Sequence, residues 1–184
     1  MKKQVVSEID IVSGTIDSPK GFEINREKIK NDIITSFINQ KRISNNEKDF
    51  AYTDYQVPFS QPLQWLKDYL RDHFRIEHNK TLIPKLDFGI ILDKKQQSHN
   101  RNLVEPLDLL HSPDYTCVYG VDIDDEEHLE VVIHYDDNRR VNRTWHVPLQ
   151  NNKFIIFPSM QRFFITENKS SKLQTILIST YEYI

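Results

Sequence analysis

Glycine is scarce in this chain of 184 residues. The four present leave little room for the tight backbone cradle that holds a phosphate. No Gly-rich phosphate loop, nucleophile elbow or His-Glu-x-x-His run occurs. Cysteine is scarcer still. Cys117 stands alone, so no intramolecular disulfide can close and no thiolate zinc cage can form. It lies in Tyr115-Thr116-Cys117-Val118-Tyr119, a strand pattern, and reads as a small buried hydrophobe. Positive charge is not in excess either. A net charge of −3 argues against a general binder of nucleic-acid backbones, and the short basic group Arg139, Arg140 and Arg143 reads as a solvated strand end. No long apolar run follows the charged start Met1-Lys2-Lys3, so neither a signal peptide nor a membrane span is expected, and synthesis in the cytosol is.

What is present is a globular balance, with 38% hydrophobic and 28% charged residues, enough to bury a core without staples. The length points to one domain over 1–184, with an N-terminal strand and two helices in 1–84 and a β core in 85–184. Residues Val5 to Ile16 alternate loosely and read as a strand or extended arm, ended by Gly14 and the turn cluster 17–21. Ile29, Ile33 and Phe37 recur every fourth residue, and Ile34 and Ile38 widen the stripe, which predicts a helix over Asn25 to Gln40. The polar run 42–49 reads as a loop. Ser60 and Pro62 open a second helix, carried by Leu63, Leu66, Tyr69, Leu70 and Phe74. From Lys85 the pattern turns to short strands: 85–92, 115–123, 129–135, 141–147, 154–157, 163–166 and 173–183. Helices first and strands after make an α+β order with a sandwich or barrel.

Candidate ligands for a metal are few. His134-Tyr135-Asp136 has the His-x-Asp spacing that puts two side chains on one side of a strand, and His146 follows one strand later. The alternative is a half-exposed histidine in an Asp-rich turn. His73 and His78 fall at the end of the second helix and suit a surface role there. The acidic run from Asp122 to Glu127 lacks the glycine and alternating oxygens of an EF-hand loop and reads as a solvated hairpin tip.

The C-terminal third carries more. An Asn151-Asn152 turn feeds the apolar strand Phe154-Ile155-Ile156-Phe157-Pro158-Ser159. Ten residues on, Asn168-Lys169-Ser170 turns into Leu173-Gln174-Thr175-Ile176-Leu177-Ile178-Ser179. This pair resembles the C-terminal signature of the iron(II)/2-oxoglutarate oxygenase superfamily, in particular the oxygenase-like proteins encoded by marine tailed phages. Upstream, the stretch from His111 to Tyr119 resembles that group's "H-P-N-S-x-x-SGVYY" segment, one residue short. The resemblance spans Asn100 to Tyr183. It implies a double-stranded β-helix, or jelly roll, with the N-terminal helices packed on its major sheet.

The resemblance also says where the chemistry would sit. Such enzymes hold iron with two histidines and a carboxylate, and an arginine on the last strand pairs with the distal carboxylate of the cosubstrate. The matching positions here are His111 and Asp114, then Phe163 in place of the second histidine and Gln174 in place of the arginine. Phenylalanine cannot bind a metal, and a neutral glutamine cannot replace a bidentate cation. The His-x-x-Asp interval also turns Asp114 away from His111 unless a bulge intervenes.

These substitutions imply a vestigial site with no metal and no cofactor. The expected role is a non-catalytic structural or assembly component of a tailed-phage virion, in a homo-oligomeric ring and in contact with other virion proteins. Edge pairing would come from the N-terminal segment and from the last strand, Thr180 to Ile184. An active hydroxylase with displaced ligands among His111, Asp114, His134 and His146 is the alternative. A ligand-binding jelly roll without redox chemistry is a third reading.

Overall fold

A computed structural model of the chain describes residues 9–16, 23–44, 55–126, 129–137 and 142–184. Two helices cover one face of a six-stranded antiparallel sheet, and a three-stranded sheet lies against its other face. The elements run β1 (Val12–Thr15), α1 (Arg26–Ser44), β2 (Tyr55–Gln56), α2 (Gln61–His78), β3 (Leu82–Leu92), β4 (Tyr115–Asp122), β5 (Leu129–Asp137), β6 (Asn142–Leu149), β7 (Lys153–Pro158), β8 (Phe163–Ile165) and β9 (Gln174–Tyr183). The major sheet has the order β1-β7-β4-β9-β3-β2, and the minor sheet β6-β5-β8. This is the jelly roll that the resemblance implies, with both helices on the major sheet.

Both helices form where the apolar spacing places them. Asn25 opens α1 by accepting the Lys28 N–H on its side chain at 3.0 Å. Ile29, Ile33 and Phe37 are buried against the sheet, while Ile38 lies on the exposed flank. Ser60 holds the extended N-cap conformation of α2, but its hydroxyl makes no capping bond, and Pro62 supplies the start of the helix instead. Leu63, Leu66, Leu70 and Phe74 form the buried stripe of α2. Asn79 then ends the helix in the left-handed conformation, its N–H donating to the Arg75 carbonyl. Gly89 permits the close docking of α1, because a Cβ there would come within 2.4 Å of Ile33 Cγ2.

Alternation along the major-sheet strands divides the interior into two cores. Tyr119, Ile156, Leu177 and Tyr181 face the helices, and Ile90, Val118, Ile155, Ile176 and Ile178 face the minor sheet. A buried polar group crosses the helix-facing layer: Asp87 accepts from the Lys67 ammonium of α2 and, at 2.7 Å, from the Ser179 hydroxyl.

Several expectations need correction. The last strand is interior, not an edge. Tyr181, Glu182 and Tyr183 pair with Pro84, Ile83 and Leu82, and Tyr115 pairs with Tyr181 on the other side, so β9 has little free edge to offer a neighbour. His73 and His78 are half-buried rather than surface groups. His73 meets the Phe154 ring of β7 edge-on at 5.6 Å, and His78 lies 4.6 Å from the ring of Phe74, four residues back on the same helix. The predicted start of the first strand at 5–8, the turn at 17–21, most of the 42–49 loop, Glu127, Arg139 and Arg140 lie outside the described residues.

Candidate functional site

Both positions that the resemblance assigns to cofactor chemistry project between the two sheets. Phe163 begins β8, fully buried, with its ring edge-on to Phe157 at 5.1 Å. Gln174 begins β9 on the same face as Ile176 and Ile178 and is equally buried. Its amide is spoken for locally: Oε1 accepts the Asp124 N–H at 2.7 Å, and Nε2 donates to the Lys172 carbonyl at 3.2 Å. Phe163 has no polar side-chain atom, and both polar atoms of Gln174 already have protein partners.

The space around them is packed. Val131 and Ile133 from β5, Val147 and Leu149 from β6, and Ile155 and Phe157 from β7 meet Phe163, Ile165, Ile176 and Ile178 in one continuous apolar core. An iron ion needs oxygen and nitrogen donors, and the Val, Leu, Ile and Phe side chains of this cluster supply none.

Arg101, which the sequence reading passed over, stands opposite Phe163. The Arg101 N–H donates to the Phe163 carbonyl at 2.7 Å, and the Phe163 N–H donates back at 3.0 Å. Residues paired this way share a sheet face, so the Arg101 side chain leaves the backbone on the Phe163 side. Burial lowers its pKa to about 10, and it stays cationic at neutral pH.

The remaining candidate ligands are dispersed. His111 is exposed, and its Nδ1 lies 2.8 Å from Asp108 Oδ1, not near Asp114. That hydrogen bond holds the Asp108 carboxyl below its ordinary range. Asp114 instead closes the strand ends: its carboxylate accepts the Tyr183 N–H at 3.2 Å and its carbonyl the Ser159 N–H at 2.8 Å. His134 lies on the outer face of the minor sheet, 6.0 Å from the Phe164 ring. The register slips between His134 and Asp136, which breaks the alternation on which a His-x-Asp pair depends. His146 also faces outward, its Nδ1 2.8 Å from Glu130 Oε2. Among the described residues, no three of His, Cys, Asp and Glu come together at one point. The residues present do not fit the family's iron centre.

Elsewhere the same residue types hold the strands in place. Asn168, wholly buried, donates to the carbonyls of Leu92 and Lys172 at 3.0 and 2.9 Å, which ties the end of β3 to the turn before β9. Asp124 accepts from Ser170, which holds its carboxyl below the ordinary range, so the acidic hairpin tip is anchored to the same turn.

No protein-family model matches the chain, and no curated protein matches it in sequence. Solved structures match it in shape. The non-heme alpha ketoglutarate dependent carbocyclase SnoK from nogalamycin biosynthesis aligns over 93% of this chain and 78% of its own, with 7% identity and a TM-score of 0.61. The viral collagen prolyl hydroxylase of Paramecium Bursaria Chlorella virus-1 aligns over 92% and 94%, with 11% identity and a TM-score of 0.59. A Pseudomonas putida prolyl-4-hydroxylase aligns over 94% and 92%, with 6% identity and a TM-score of 0.54. At these identities the likeness is one of fold.

Proposed function

We propose that this chain is a non-catalytic structural or assembly component built on the oxygenase fold. The packed interior carries the reading: Phe163 and Gln174, where a ligand and a cosubstrate clamp would stand, are buried side chains engaged with their neighbours. The sequence resemblance to tailed-phage proteins supplies the setting, a virion in which the chain contacts other virion proteins after synthesis in the host cytoplasm. Iron, 2-oxoglutarate and nucleic acid have no part in this reading.

The fold of the neighbours favours a second reading, an active iron(II)/2-oxoglutarate hydroxylase with displaced ligands. It would have to gather His111, Asp114, His134 and His146, which lie on different faces and bond to other partners. Two measurements separate the readings. Purified protein given Fe(II), ascorbate and 2-oxoglutarate is expected to release no succinate above the metal-free background, and purified particles are expected to contain the chain in stoichiometric amount. Succinate release abolished by His111→Ala would establish the enzyme, and absence from particles would remove the virion role.

A further inference from the structure

Among the described residues, proline stands inside three strands: Pro84 in β3, Pro148 in β6 and Pro158 in β7. In each, the nitrogen faces away from the strand opposite. The minor sheet shows this for Pro148. The Thr166 N–H donates to the Glu130 carbonyl at 3.0 Å, and the His134 N–H donates to the Arg162 carbonyl at 2.8 Å. Even-numbered residues of β5 therefore direct their main chain toward β8. The odd-numbered Leu129, Val131 and Ile133 direct theirs toward Leu149, Val147 and Trp145 of β6. Thr144, His146 and Pro148 are left pointing outward. β6 ends that sheet, and among the described residues no strand lies beyond it.

β3 follows the same rule. Thr81 and Ile184 exchange both backbone bonds, at 3.0 and 3.1 Å, so the next bonded pair is Ile83 with Glu182. Leu82 and Pro84 then face the other way, where β2 covers only Asp87 to Gly89. In β7, the Ile16 N–H donates to the Asn152 carbonyl at 3.0 Å, which sets even-numbered residues toward β1. Pro158 is thus directed to the β1 side, two residues past the last β1 pair, Val12 with Ile156. The outer edge of β8 is already bonded: the N–H groups of Ser98 and Arg101 donate to the Ile165 and Phe163 carbonyls at 3.1 and 2.7 Å.

We infer that Pro148 and Pro84 close the free edges of the two sheets against strand addition by other chains. A strand laid on β6 would pair with Thr144, His146 and Pro148. At Pro148 it meets a pyrrolidine ring in place of a donor, and its own carbonyl loses water and gains no partner. Thr144 and His146 alone leave too short a run to hold it. On β3, Pro84 takes one of two outward positions before the bulge between Pro84 and Asp87 disrupts the edge. Neither proline gives up a bond to the strand it pairs with, because an N–H at either position points outward. Contacts of this chain with its neighbours would then be made by side-chain surfaces and not by a shared sheet at these edges. The inference concerns the edges alone and holds whether or not the interior is catalytic.

Light scattering on the full chain after gel filtration tests it, at about 100 µM, well above a micromolar Kd. Pro148→Val and Pro84→Val each add one outward N–H. Each is expected to keep native circular dichroism and to show at least twice the mass of the wild type. Thr144→Val puts the same side chain on the same edge and face of β6 without a new donor, and is expected to match the wild type. Native Pro148→Val and Pro84→Val at the wild-type mass would overturn the inference. So would an equal rise in Thr144→Val, which would trace association to the apolar side chain and not to the donor. The two prolines lie on different sheets, so either variant carries the test if the other fails to fold.

Discussion

Arg101 and Phe163 sit directly opposite one another at the mouth of the jelly roll, joined by two backbone hydrogen bonds of 2.7 and 3.0 Å. The pair sets an aromatic ring at the position that the sequence resemblance gives to an iron ligand, with an arginine across from it. Restoring one donor is therefore not expected to restore a site. Phe163→His puts an imidazole in an apolar core beside a guanidinium, and equilibrium dialysis against Fe(II) should find no more bound metal than in the wild type. Phe163→Ala should cost about 3–5 kcal/mol in urea unfolding through the cavity it leaves. A new stoichiometric Fe(II) site in the histidine variant would show that the interior can open.

Gln174 tests the other half of that arrangement. Gln174→Ala removes the acceptor for the Asp124 N–H and the donor to the Lys172 carbonyl. An orphaned buried group costs about 1–3 kcal/mol, measurable as a lowered urea midpoint with unchanged slope. Gln174→Arg should gain no affinity for 2-oxoglutarate, because Ile176 and Ile178 fill the adjoining space. A rise in Tm of that variant with millimolar 2-oxoglutarate would contradict the packed interior.

Legibility in the sequence followed the range of the forces. Strand alternation and the four-residue stripe of Ile29, Ile33 and Phe37 are local signals, and each strand from 85 onward forms within a few residues of its predicted place. Phe163 and Gln174 were reachable by counting from Ser159 and Asn168. Arg101 was not, because Ser98 to Arg101 has no alternation of its own and acquires order only by bonding to β8 across some sixty residues of sequence. The bulge after His134 was hidden for the same reason: it is a property of the pairing with β6, not of β5. The interior position of β9 is likewise set by long-range pairing with β3 and β4, and so an apolar C-terminal strand could pass for an edge.

Buried acids in the helix-facing core set an alkaline limit. Burial pushes the Cys117 thiol above its ordinary value of 9 and the Tyr119 and Tyr181 hydroxyls above theirs of 10. The folded state keeps these protons where the unfolded chain loses them. Their contribution is thus fully present below pH 9 and lost as pH rises above 9–10. Urea midpoints should be level from pH 7 to 8.5 and fall beyond. At pH 8 a disulfide reagent should label Cys117 only as fast as the chain unfolds, and rapid labelling of native protein would show that the core opens locally.

Lys67 and Asp87 join α2 to the major sheet from nearly buried positions, with Ser179 on the second carboxylate oxygen. Removing one partner strands the other charge. Lys67→Met should therefore cost about 3 kcal/mol or more. Adding Asp87→Asn should return a substantial part of that loss, since the neutral amide still accepts from Ser179. A double-mutant cycle on urea unfolding measures the coupling, and additive losses would mean that water reaches the pair.

The contact between α1 and β3 makes the sharpest steric prediction. An added Cβ at Gly89 would lie 2.4 Å from Ile33 Cγ2 and 2.9 Å from Cγ1, and both atoms belong to a fully buried side chain in the middle of α1. These atoms sit next to the Ile33 backbone rather than at the far end of a flexible side chain, so Gly89→Ala must push the helix away from the sheet, at about 1–3 kcal/mol. Ile33→Ala costs about 2–5 kcal/mol for the opposite reason, a void. Combined, the new methyl at Gly89 enters the space that Ile33 gave up. The double variant should therefore be at least about 1 kcal/mol more stable than the sum of the single losses predicts. Strict additivity would place the methyl and the isoleucine in different spaces and show that the helix does not dock on Gly89.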